Sequence, residues 1–264
     1  MEEQLQRQRF ERKYLVSEDR AKQIREFVKY HLVPDEYSEG RPEYSYPVHS
    51  LYLDSDSLLT YWATVHCEKK RFKLRVRFYD DNPEAPLFFE IKRRENECVL
   101  KQRGIVHRRS GATLLAGHLP GPEHIASRKP HHFVALQRFS HLTHKLDARP
   151  MVHVAYMREA WVSQRNNSVR VTLDRNVRGE PRLQALFSTQ MVNPIHVFGP
   201  QVVLELKFTD RFPGWFNQLV RHFDLLQTGA PKYCGSLALA GEARVVNTKL
   251  ENHQERLAWL ADYC

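Results

Sequence analysis

The sequence predicts an α+β fold: an antiparallel sheet of about eight strands closed into a barrel, with helices packed outside. Three observations carry that expectation. Segment after segment alternates apolar with charged side chains at the two-residue period of a strand. Few of the connectors are long enough for parallel crossovers. The polar side of each strand repeats Lys, Arg and Glu, where a solvated face would mix Ser, Thr and Gln. A charged face this regular belongs to the interior, so the apolar face packs outward against helices, the inverse of a small barrel filled by apolar side chains.

Residues 10–16 read as the first strand. A helix follows from an N-cap at Ser17, with Glu18 and Asp19 in its first turn, Ala21, Ile24, Phe27, Val28 and His31 at helical spacing, and Pro34 as its stop. A strand at 48–53 leads into a short helix over 57–66, with Asp54, Ser55 and Asp56 supplying strand-end and cap chemistry. Strands at 71–79, 87–94 and 98–107 are joined by Asp80-Asp81-Asn82-Pro83 and Glu95-Asn96-Glu97, connectors of hairpin length, so the three form a meander. Residues 110–149 are an insert rich in small residues, prolines and histidines around a helix at 133–145, placed to cover one end of the sheet. Strands resume at 151–162 and 168–176, around the turn Gln164-Arg165-Asn166-Asn167, and at 202–209. A helix opens at Pro213 and runs to about 226; after the basic turn Ala230-Pro231-Lys232-Tyr233, one or two helices close the chain. Nothing divides the sequence, so one domain over 1–264 is expected, with its core at about 8–235 and C-terminal helices over 236–264.

Lys and Arg number 40 against 31 Asp and Glu, a net charge of +9, which favours acidic partners: nucleic acid, anionic membrane or phosphorylated small molecules. Cys67, Cys98, Cys234 and Cys264 lie far apart without CxxC spacing, so neither a zinc site nor a disulfide framework is indicated, and a reducing, cytoplasmic setting is expected. Residues 1–10 lack an apolar signal core, and no apolar run approaches the ~18 residues of a membrane span.

Strand period puts Lys73, Arg75 and Arg77 on one face, and likewise Glu11 with Lys13, Glu90 with Lys92 and Arg94, Lys101 with Arg103, Tyr156 with Arg158, Arg170 with Thr172 and Asp174, and Glu205 with Lys207. Like charges opposite one another destabilise a sheet, so so many cations on one face call for a bound anion such as a polyphosphate or nucleotide triphosphate. Arg suits bidentate phosphate recognition and Lys point-charge neutralisation. The isolated acids Glu11, Glu90 and Glu205 suit Mg²⁺ or Mn²⁺, which binds through one or two carboxylates together with phosphate oxygens. The aromatic neighbours of the cationic strands point to the opposite face, against a surface built for specific nucleic-acid binding. No GxxxxGK[ST] is present, so a P-loop is excluded as the phosphate cradle. His131, His132, His141 and His144 read as a surface helix face.

At these residues the chain resembles the VTC domain, the polyphosphate polymerase module of the vacuolar transporter chaperone complex, within the CYTH or triphosphate tunnel superfamily. The resemblance covers about 8–235 and rests on landmarks in order: Phe10-Glu11-Arg12-Lys13-Tyr14, Ser50-Leu51-Tyr52-Leu53-Asp54, Lys73-Leu74-Arg75-Val76-Arg77, Glu90-Ile91-Lys92, Lys101-Gln102-Arg103, Tyr156-Met157-Arg158, Arg170-Val171-Thr172-Leu173-Asp174, Glu205-Leu206-Lys207 and Pro231-Lys232-Tyr233. It implies a triphosphate tunnel of eight strands in which Lys13, Arg75, Arg77, Lys92, Lys101, Arg158, Arg170 and Lys232 hold phosphates and Tyr156 donates to one. It further implies that Glu205 binds the divalent metal, with Lys207 beside it; Arg103, Glu11 and Glu90 share the same face. The implied partners are ATP and inorganic polyphosphate or pyrophosphate. Hydrolase and cyclase members carry ExExK on the first strand, whereas here Arg9 replaces the first glutamate. Losing that carboxylate weakens a site built to activate water and tilts the expectation toward phosphoryl transfer. The SPX and membrane segments of the eukaryotic complexes are not among these landmarks, so their coupling to transport is not carried over.

Overall fold

The computed structural model describes residues 9–164 and 168–241. In chain order it contains β1 (Arg9–Val16), α1 (Glu18–Lys29), β2 (Val33–Pro34), β3 (Ser45–Asp54), α2 (Leu59–Val65), β4 (Lys70–Phe78), β5 (Leu87–Glu95), β6 (Cys98–Val106), α3 (Gly111–Leu115), α4 (Pro130–Leu146), β7 (Arg149–Val162), β8 (Val169–Pro181), β9 (Ile195–His196), β10 (Val202–Thr209), α5 (Gly214–His222) and α6 (Lys232–Ala240). Ser17 caps α1 by accepting the Arg20 amide, as the sequence indicated. Asp54 ends β3 and accepts the Thr60 and Tyr61 amides, holding the first turn of α2. The turn read at 164–167 and the closing helix beyond 241 fall largely outside the described residues.

All ten strands belong to one antiparallel sheet, ordered β2-β7-β3-β4-β5-β6-β1-β10-β8-β9, with β7 also paired to β8. The expected barrel of about eight strands is corrected here. The sheet has ten strands and is not closed into a barrel, because β1 and β6 share a single residue pair, Arg9 with Val99. Other backbone fills that seam. Thr228 donates its amide to Lys13 on β1, with a bridge between Tyr14 and Gln227, while Ala126 donates to Ile105 on β6. An edge satisfied by a loop has no free ladder groups left for a neighbouring strand.

The polarity of the sheet follows the alternation. Its outer face packs under helices in two apolar clusters: α4 lays Leu136, Phe139, Leu142 and Leu146 on Phe72, Phe89 and Ile91, and α1 and α5 lay Ile24, Val28, Phe216 and Leu219 on Val171, Leu204 and Leu206. Each such side chain, fully buried, contributes roughly 1.5–3 kcal/mol. The 110–149 insert therefore covers the outer face of the meander and not an end of the sheet. Gly104 on β6 permits the approach, since a Cβ there would meet the His132 carbonyl oxygen at 3.1 Å. His131, His141 and His144 lie exposed on α4. The last helix behaves differently: α6 packs on β7, β8 and α2 and brings Lys232 to the inner face.

Candidate functional site

The inner face encloses a cavity of about 650 Å³ whose wall carries eleven lysines and arginines against two glutamates. Register decides how those charges meet. Across β4, β5 and β6 one row reads Arg75, Glu90, Arg103, and the next reads Lys73, Lys92, Lys101. Across β1, β10 and β8 a row reads Lys13, Glu205, Thr172, and β7 sets Arg158 opposite Asp174. Some rows thus pair opposite charges, whereas the lysine row stacks three like charges side by side.

Four carboxylates organise the cations. Glu90, wholly buried, receives Arg75 at 2.6 Å, Arg103 at 2.6 Å and Lys101 at 2.6 Å. Burial alone would raise its pKa, but Lys101, Arg75, Arg77 and Arg103 hold it well below the usual carboxylate range. Asp174 takes Arg158 in a two-point fork at 2.7 Å on each oxygen, and Lys232 at 2.7 Å. Glu205 lies among Lys207 at 2.6 Å, Lys232 at 3.1 Å, Lys13 at 3.4 Å and Arg158 at 3.7 Å, and accepts from the Thr172 hydroxyl at 3.3 Å. Against its burial, Lys207, Lys232, Lys13 and Arg158 keep it ionised. Glu11 bridges Lys13 at 3.0 Å and Lys92 at 3.1 Å. Lysines left with less compensation pay for burial: Lys101 is pushed well below its ordinary value, and Lys207 is pushed down to about 8.

Of the residues predicted from the sequence, Glu11, Lys13, Arg75, Arg77, Lys92, Tyr156, Arg158, Glu205, Lys207 and Lys232 line this one cavity. Glu90, Lys101 and Arg103 stand behind it: Glu90 is a counter-charge that anchors Arg75 from below. Arg170 is turned away, its Nη2 on Asp35 Oδ2 at 2.5 Å just past β2. Tyr52, Arg71, Lys73 and Tyr233 also line the cavity without having been singled out as site residues. Tyr52 accepts from Arg75 at 3.1 Å and stacks on Tyr233, whose hydroxyl donates to Asp54 at 2.9 Å. Lys73 donates to the Cys234 sulfur at 3.2 Å. The alternation of β3 already put Tyr52 on the inner face; its partner Arg75 is visible only once register is known.

A scan against protein-family models matches the VTC domain over residues 8–240. The chain belongs to the VTC domain family. Curated proteins gave no match. VTC domains are associated with polyphosphate synthesis, and the cation-lined cavity of this VTC domain lies within the matched residues. No helix among the described residues is long and apolar enough to cross a membrane. Nor do the described residues hold a group of three or more His, Cys, Asp or Glu able to cage a metal by themselves. A divalent ion fits here only as a guest of Glu205 together with phosphate oxygens, the mode in which Mg²⁺ commonly binds.

Proposed function

We propose that this VTC domain is a polyphosphate polymerase that transfers the γ-phosphoryl group of ATP to the end of a growing inorganic polyphosphate chain. The observation that supports this reading best is the excess of cations over carboxylates in a single cavity of a family associated with polyphosphate synthesis. A linear polyanion satisfies such a wall; the lysine row Lys73, Lys92 and Lys101 is where internal compensation is poorest.

Phosphoryl transfer needs little covalent help, and in-line positioning with neutralisation of spread charge is most of the work. Arg75, Arg77 and Arg158 clamp equatorial oxygens, each held by groups behind it, so little reorganises as charge moves. Lys13, Lys92, Lys207 and Lys232 neutralise the chain, and Tyr156 donates a hydroxyl. Mn²⁺ or Mg²⁺, held by Glu205 and phosphate oxygens, adds Lewis-acid charge when bound. The acceptor phosphate is already ionised, so no general base is required.

The test is to incubate the purified protein with ATP and Mn²⁺ and to resolve the products on a gel. Long-chain polyphosphate is expected. Free phosphate without polymer would assign a triphosphatase instead, and neither product would leave a binding protein. Arg75→Ala should abolish polymer.

A further inference from the structure

Two buried donors on the inner face lack an acceptor, and they sit opposite one another. Ser50 on β3 is fully buried, and its Oγ has no hydrogen-bond partner. Its register partner on β4 is Arg77, 5% exposed, whose Nε is likewise without a partner. Arg77 gives its Nη2 to the Tyr156 hydroxyl at 3.3 Å, and Glu90 lies 3.9 Å from its Nε, beyond hydrogen-bond reach. On the other side of Ser50 the register partner on β7 is Val154, which offers no side-chain acceptor. Strand alternation puts Ser50 on the same face as Tyr52, and both Tyr52 and Arg77 line the cavity. This level of the inner face therefore presents a hydroxyl and a guanidinium edge and nothing negative to receive them. Buried donors left unmet are costly and rare in native proteins, and an unseen ligand is one of the few explanations.

We propose that Ser50 and Arg77 form a seat for one phosphoryl oxygen of the bound anion, with Ser50 a binding residue and not a packing one. An acceptor-only oxygen answers both donors at once, which neither a lysine nor another hydroxyl does. The assignment rests on the polyphosphate reading and adds to it a specific contact. The phosphoryl oxygen belongs either to a free polyphosphate or to a nucleotide triphosphate, and two probes separate these sources.

The experiment follows thermal melting of the full chain titrated with tripolyphosphate and, separately, with ATP. Ser50→Ala removes a hydroxyl that has no partner in the unliganded protein, so its unliganded melting temperature should equal or exceed that of wild type. Its affinity for tripolyphosphate should fall about tenfold, the loss of one hydrogen bond to a charged group. A matching loss for ATP assigns the seat to phosphoryl oxygens from either source, and a loss for tripolyphosphate alone assigns it to the free polymer. Arg77→Lys keeps the charge and removes the Nε edge; in that background Ser50→Ala should cost little more, because the seat is already broken. Wild-type affinity in Ser50→Ala, a lower unliganded melting temperature, a loss confined to ATP, or full additivity with Arg77→Lys would each overturn the assignment. If wild type binds neither anion, the polymerase reading falls and the seat with it; if wild type binds and Ser50→Ala binds equally, only the seat falls.

Discussion

Glu90→Gln tests whether buried carboxylates hold the cationic wall in place. The change keeps the shape of the side chain and deletes its charge, leaving Arg75, Lys101 and Arg103 facing a neutral amide. Breaking a buried ion pair from one side costs about 3–5 kcal/mol. The side chains of Lys101 and Arg103 are 31% and 32% exposed, so water recovers part of their loss, whereas Arg75 is only 12% exposed. That places the cost near the lower bound, about 3 kcal/mol. In a chain of this size 1 kcal/mol moves the midpoint by roughly 2–4 °C, so the melting temperature should fall by roughly 6–12 °C. Circular dichroism melts measure it directly. Adding tripolyphosphate should then stabilise the variant more than wild type, because ligand oxygens supply the negative charge that Arg75 has lost. A variant that melts like wild type, or that gains no more from tripolyphosphate, refutes the reasoning.

Burial would raise the Tyr52 pKa, but Arg75, Arg77 and Lys73 bring it down to about 8. As pH rises through that value a phenolate forms in the cavity, so tripolyphosphate binding should weaken severalfold above pH 8, with tyrosinate absorbance reporting the transition. Tyr52→Phe should remove that part of the slope, the remainder belonging to Lys207. Asp35→Asn keeps the Oδ1 that accepts the Ser38 amide and releases Arg170 from its 2.5 Å ion pair, so tripolyphosphate affinity should rise about threefold; an unchanged affinity would remove Arg170 from the anion's path. On the outer face His49 and His153 meet at 3.0 Å, with burial first and the nearby arginines Arg178 and Arg182 second lowering them to about 4 and about 2. The unfolded chain protonates near 6.5 and the folded one does not, so stability is full above 6.5 and is lost as pH falls toward 4. Urea midpoints measured across that range should show the slope, and a double Asn substitution should flatten it.

The sequence makes the faces legible and leaves the neighbours hidden. Period two assigns Lys13, Arg75, Arg158 and Glu205 to inner faces without any fold in hand, and the strand read at 202–209 coincides with β10. That Lys13 stands opposite Glu205, or Arg75 opposite Glu90, depends on register, which is set by pairings between segments far apart in the chain. The same blindness explains Arg170: its alternation is correct, but Asp35 lies 135 residues away beside a two-residue strand too short to leave a periodic signal. It explains the seam as well. Nothing in the pattern of 98–107 announces that Ala126 will occupy part of its edge, or that Thr228 will bond to β1 where the meander was expected to return.

The carboxylates inside the cavity also change how its charge should be understood. A wall of lysines and arginines with nothing between them would repel itself and pull each lysine toward neutrality; Lys101 and Lys207 show that tendency even with Glu90 and Glu205 against them. Glu90, Asp174, Glu11 and Glu205 therefore act as internal stand-ins for phosphate, fixing the geometry of the cations before an anion arrives. They do not all stand in the same way. Glu90 and Asp174 are wholly buried and outside the cavity wall, so they remain as fixed anchors when the anion enters. Glu11 and Glu205 line the cavity, where an entering phosphate competes with them for Lys13, Lys92, Lys207 and Lys232. Exchange of one counter-charge for another costs less than creating a cationic wall afresh, and the arginines that must stay aligned for in-line transfer are the ones whose anchors do not move.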